Sequence, residues 1–237
     1  MTSRMLPFKD NIPTERFSVI TVLIVAINVA VFLYEQTLGA AGQLDNFFIQ
    51  YGMTPYEITH GVSLAPRSFP VYLTLITCMF LHGGWLHIGG NMLYLWIFGN
   101  NVEDSMGRFR FVIFYLACGL IASFAQIAID PSSTVTNIGA SGAIAGVLGA
   151  YLLLYPRAKV TTLVILVVFI TVIQLPAVVV LLFWFMIQLF SGLAGSGTGA
   201  GGDVAYFAHI GGFVAGLLTI KLFTLGKHEV HIKKGYM

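Results

Sequence analysis

Between Lys159 and Asp203 the sequence carries no charged side chain, and apolar stretches recur along the rest of the 237-residue chain. Such runs restrict the fold severely. Hydrocarbon offers a backbone no water to bond to, so a chain that crosses it must pair its peptide groups internally. One helical crossing needs about 18 or more apolar residues. Only 9% of the residues are charged and 57% are hydrophobic, with a mean hydropathy of +0.85. Soluble domains carry about 25% charged residues. The net charge of +2 is small and scattered, which argues against nucleic-acid binding. Cys78 and Cys118 match no metal or redox spacing and read as buried thiols.

The expected fold is an all-α membrane protein with six spans, over residues 17–37, 84–101, 110–129, 139–155, 176–193 and 204–224. The stretch 159–194 is longer than one crossing. Pro176 suits the first turn of a helix, so the fifth span starts there. The β-branched segment 160–175 is then expected to be interfacial, extended or partly inserted, with a seventh span as the competing reading. Basic residues arbitrate, because cytoplasmic loops are enriched in them. With six spans, Arg4, Lys9, Arg16, Arg108, Arg110, Arg157, Lys159, Lys221, Lys227, Lys233 and Lys234 all fall on one side. Only Arg67 falls on the other. Both termini are therefore expected in the cytoplasm: a tail over 1–16, a six-helix domain over 17–224 and a tail over 225–237. The first apolar run exceeds the usual ~7–15 residues of a signal-peptide core and reads as a retained helix.

Four polar residues interrupt the apolar segments: Ser141 in GASGAIAG, His209 in AHIGGFVAG, and His87 with Asn91 in HIGGNMLYLW. Strongly polar groups inside membrane spans are costly and mark function by default. The second, fourth and sixth spans all enter from the outer face. At 1.5 Å per residue, His87, Ser141 and His209 lie at depths agreeing to within about 5 Å. Gly139, Gly142, Gly146 and Gly149 form a stripe on the fourth span, and Gly212 with Gly216 a GxxxG pair on the sixth. Small residues at this spacing let membrane helices approach closely, which presses His209 towards Ser141.

A serine hydroxyl becomes a good nucleophile when a histidine takes its proton. Many serine hydrolases orient that histidine with an acid. Asp203 lies in the outer loop, and Glu103 and Asp104 at the opposite end of the second span, so a Ser141–His209 dyad without an acid is expected. His87 and Asn91, four residues apart on one helix face, can donate to an oxyanion together with the Ser141 N–H. Metal binding at His82 and His87 is disfavoured, since HGGWLH lacks a nearby glutamate or cysteine. His82 is expected near the outer water boundary, bonded to a loop. Asn137 is open between a helix cap, a water-site ligand and neither, while His228 and His231 read as a solvated end. The glycine-rich loop 195–203 is expected to act as a lid above the site.

These motifs resemble the rhomboid family of intramembrane serine proteases. HGGWLHIGGN is similar to its His/Asn segment, GASG to its nucleophile segment and AHIGGFVAG to its histidine segment, while Glu103, Gly107 and Phe111 fit its ExxxGxxxF pattern. The resemblance implies the six-helix rhomboid fold, Ser141 as nucleophile, His209 as base, and an oxyanion hole of His87, Asn91 and the Ser141 N–H. It implies cleavage of single-span or multi-span membrane-protein substrates near the outer end of a transmembrane segment, without a cofactor. Two features depart from some members: Ala145 stands where an aromatic residue can stack on the histidine, and Pro66 precedes Arg67 where a tryptophan can. A non-catalytic binder of transmembrane helices on the same fold is the main alternative. Compact length points to a bacterial inner membrane, with the site opening to the outer face.

Overall fold

Residues 4–166, 169–195 and 205–225 are described in a computed structural model, and they are mostly helical. Helix α1 (Val19–Ala40) is followed by a long loop that holds α2 (Leu44–Tyr51), α3 (Pro55–His60) and the helical stretch Val71–Phe80, with α4 (Thr74–Thr77) at its centre. Helix α5 (Trp85–Tyr94) continues through a π-helical turn, Leu95–Gly99, into α6 (Asn100–Met106). Then come α7 (Arg108–Ile129), α8 (Ser141–Leu154), α9 (Ala177–Gly195) and α10 (Tyr206–Thr224). Each of the six expected segments is helical.

Among the described residues, α1, α7 and α10 are long and apolar enough to cross a bilayer. A fourth span results if Val71–Phe80 and Trp85–Met106, bent by 82° at their junction, count as one. Helices α8 and α9 are apolar but shorter by this measure. Large side chains such as Ile27 on α1, Ile121 on α7, Phe190 on α9 and Leu218 on α10 are exposed. Apolar side chains spread over the outside of a helical body require an apolar solvent. The chain is an integral membrane protein.

The fold is not purely helical. Strands β1 (Arg4–Asp10), β2 (Lys159–Leu166) and β3 (Phe169–Pro176) form an antiparallel sheet in that order, with Leu6 opposite Leu163 and Leu163 opposite Val172. The segment 160–175 is thus extended rather than a seventh helix. Its β-branched residues suit a pleated surface: Val160, Thr162 and Val164 alternate inward while Val172 is exposed. Within the expected tail 1–16, residues 4–10 pair with β2. An unpaired strand leaves a row of backbone groups open, and β1 closes that edge. The expected tail 225–237 lies outside the described residues from residue 226 onward.

Long-range polar ties fix the ends of the helices. Glu103 on α6 accepts the backbone N–H groups of Ile20 (3.0 Å) and Thr21 (2.7 Å) and the Thr21 hydroxyl (2.8 Å), capping the first turn of α1 from a distance. Gly107, at φ +85°, turns α6 into α7, and Phe111 is wholly buried beyond it. Glu57 takes two hydrogen bonds from Arg67 Nη2 (2.8 and 3.0 Å) and one from the Leu64 N–H, so the loop between α1 and α5 is held by a buried ion pair in place of a tryptophan–arginine pair.

Asp10 ends β1 inside the molecule. Its Oδ2 accepts hydrogen bonds from Tyr151 Oη (2.5 Å) and Asn101 Nδ2 (2.6 Å), joining sheet, α8 and α6. Burial pushes its carboxyl up to about 6 despite those donors. The folded state therefore binds this proton more tightly than the unfolded chain. The stabilisation is fully present below about pH 4 and is lost as pH rises through about 6. Asp10→Asn is expected to flatten the pH dependence of thermal unfolding in detergent between pH 4 and 7. A variant retaining the wild-type decline would place it on another group.

Candidate active site

Helix α8 is apolar around its whole circumference, and each residue from Ala143 to Tyr151 is buried. Such a helix sits at the centre of a bundle rather than on its surface. Its closest approach to α10 is made at glycines. A Cβ on Gly212 would land on the carbonyl oxygen of Gly142, one on Gly216 on that of Gly146, and one on Gly149 on that of Phe213. Gly146 and Gly142 also abut Cys118 and Ala122 of α7. Backbone contact at this closeness fixes the register of α8 against α10, and with it the residues beside the glycines.

That register brings Ser141, which precedes Gly142, to His209, three residues before Gly212. Ser141 Oγ lies 2.6 Å from His209 Nε2. Ser141 is the first residue of α8, so its N–H is among those a helix leaves without an intrahelical acceptor. The preceding loop is pinned by a Met53–Asn137 bridge and by the Gly139 N–H, which donates to Cys78 O at 2.8 Å. Asn137 Nδ2 donates to Val135 O (3.1 Å) and Met53 O (3.4 Å), so its bonds are internal to this loop junction.

His87 reaches the same place from α5: a Cβ on Gly139, at φ +129°, would stand 2.7 Å from His87 Nε2 and 3.6 Å from Ser141 Oγ. The Gly83 N–H points at His87 Nδ1 (3.4 Å), which makes Nδ1 the acceptor and leaves the proton on Nε2, facing Ser141. Asn91 Nδ2 is buried and finds no acceptor among the described residues. A buried amide donor left open is unusual and is suited to a group that arrives later. Beside Ser141 is a cavity of about 40 Å³, walled by Met79, Gly119, Ala122, Ser123 and Ala208, room for a water or a small side chain.

Three neighbours were not foreseen. Gln188 Oε1 on α9 lies 2.8 Å from His209 Nδ1, and the Trp184 ring faces the imidazole with centroids 5.9 Å apart. Glu35, near the end of α1, is fully buried and accepts the His82 N–H at 3.2 and 3.3 Å. Helix α1 therefore carries a buried carboxylate that the sequence reading did not weigh, and it bonds His82 and not His209. His82 is itself buried, and its ring nitrogens have no partner among the described residues, so the expected ring bond to a loop is not seen there. Its ring stands edge-on to that of His87, with centroids 5.0 Å apart. Gln188 and Glu35 had a signal in the sequence, as polar residues within apolar runs. Most of the expected lid, residues 196–203, lies outside the described residues.

A family model described as Rhomboid domain matches residues 70–225, which contain all of these site residues except Glu35. Rhomboid-like protein 11, chloroplastic, from Arabidopsis thaliana is 30% identical over 123 residues, covering 52% of this chain and 38% of that protein. Rhomboid protease GluP from Bacillus subtilis (strain 168) is 44% identical over 78 residues, covering 33% and 15%. Putative rhomboid protease YdcA from the same organism is 36% identical over 78 residues, covering 33% and 39%. The chain spans less than two fifths of the length of these relatives. A relative named for the mitochondrion, Rhomboid protein 1 of Saccharomyces cerevisiae (strain ATCC 204508 / S288c), is 32% identical over 92 residues, covering 37% of this chain and 27% of that protein.

The glycine contact can be tested directly. Gly216→Ala is expected to lower stability by about 1–3 kcal/mol, the usual range for overpacking, since its methyl group meets the Gly146 carbonyl. Thermal unfolding in detergent measures it. An unchanged midpoint would mean that α8 and α10 separate freely.

Proposed function

The chain belongs to the rhomboid family, and on that footing we propose that it is an intramembrane serine endopeptidase with six transmembrane helices. The observation that carries the reading is the 2.6 Å contact between Ser141 Oγ and His209 Nε2 within an apolar bundle. His209 takes the hydroxyl proton as Oγ attacks the scissile carbonyl. The oxyanion receives hydrogen bonds from His87 Nε2–H, Asn91 Nδ2–H and the Ser141 N–H. His209 then protonates the leaving amine, and in a second step activates the water that releases the acyl group.

Lengths support a submerged site. At 1.5 Å per residue α8 is roughly 21 Å long, against a hydrocarbon core of about 30 Å. With its C-terminal end at the cytoplasmic face, where Arg157 and Lys159 follow, Ser141 sits below the outer surface. Both termini are then cytoplasmic and the site opens outward. A substrate is a transmembrane segment of another membrane protein, cut near its outer end. The small cavity beside Ser141 favours a small side chain next to the cleaved bond.

Purified protein in liposomes is expected to cleave a model single-span substrate near the outer end of its span, and Ser141→Ala and His209→Ala to abolish this. Removing one oxyanion donor, as in Asn91→Ala, should lower the rate by ~10²–10³. A wild type that neither cleaves nor is labelled at Ser141 by a fluorophosphonate would favour a non-catalytic binder instead. Equal cleavage by all variants would exclude the dyad.

A further inference from the structure

We propose that Gln188 is a positioning residue that sets the tautomer and orientation of His209, so that α9 completes the catalytic geometry. The proposal rests on the protease reading above. A histidine that accepts a serine proton at Nε2 must carry its own hydrogen at Nδ1. The amide oxygen of Gln188 can only accept, and it lies 2.8 Å from His209 Nδ1. That contact selects the Nδ1–H tautomer and leaves the Nε2 lone pair facing Ser141 Oγ at 2.6 Å. The three groups form one hydrogen-bonded line in which an uncharged amide occupies the place an acid takes in other serine hydrolases.

Nothing on α8 could supply this support. Ala145, one turn beyond Ser141, is fully buried and has only a methyl group. The supporting atoms come from one face of α9, where Leu181, Trp184, Phe185 and Gln188 turn inward while Leu182, Phe183, Met186, Ile187 and Phe190 are exposed. Trp184 is one turn before Gln188 and packs against both His209 and Phe213, with centroids 5.9 and 6.2 Å apart. It limits tilting of the ring while Gln188 fixes its rotation. Because the acceptor is on α9 and not on α8 or α10, His209 is held only when α9 is seated.

Gln188→Met keeps the length and volume of the side chain and removes the acceptor. Gln188→Glu keeps the acceptor. The readouts are kcat and KM for the single-span substrate in liposomes, with the unfolding midpoint in detergent. Gln188→Met should lower kcat at least about tenfold, and by no more than the ~10²–10⁴ that a positioned base contributes, with KM and the midpoint unchanged. Gln188→Glu should recover kcat to within a few-fold of wild type. A Met variant as fast as wild type would overturn the role, and so would a Glu variant as slow as the Met variant. A slow Met variant whose loss follows a lowered midpoint or a raised KM would make Gln188 a packing residue. A wild type that neither cleaves nor labels would remove the protease reading itself, and this role with it.

Discussion

Backbone contact between α8 and α10 is the constraint on which the rest of the site depends. Two helices whose carbonyls meet the Cα atoms of their neighbours have almost no freedom to slide or rotate. Gly142 and Gly146 on one side, and Gly212 and Gly216 on the other, create that contact because none has a Cβ. In lipid the hydrophobic effect does not push helices together, so close van der Waals packing has to hold them. The same closeness leaves Ser141 and His209 within a hydrogen bond. Packing and candidate chemistry thus share one device.

Around this rigid pair the remaining parts come from elements that are polar only where they must be. Helix α5 delivers His87 and Asn91, the bent stretch Val71–Phe80 anchors the loop before Ser141, and α9 offers Gln188 to the imidazole. Among the described residues the His82 ring nitrogens and Asn91 Nδ2 are buried polar atoms without a partner. At the opposite end, Glu103 and Asp10 tie α1 and the sheet to the bundle, well away from Ser141.

The sequence was legible where one physical signal ruled. Apolar run length and basic residues located six helical segments, and the glycine spacing anticipated which two helices touch. It was less legible where two signals overlapped. Residues 160–175 are apolar enough for a span and β-branched enough for strands, and pairing with residues 4–10, a partner about 155 residues away, decided for the sheet. Glu35 and Gln188 were passed over because each lies in a long, mostly apolar helix. Whether such a residue faces lipid, a neighbour or the site depends on helix rotation, which composition does not encode.

By itself the sequence determined that this is a membrane protein, where its helices run, and which serine, histidines and asparagine interrupt its apolar segments. Those follow from transfer energies and the fixed rise of a helix, which act locally along the chain. Tertiary structure decided the tautomer-setting contact of Gln188, the burial of Glu35 against His82, the sheet that receives β1, and the open donor of Asn91. The first three need segments apart in sequence to meet at hydrogen-bond range, and the last needs the surrounding helices to bury a donor without an acceptor. Only the assembled bundle fixes distances at that scale.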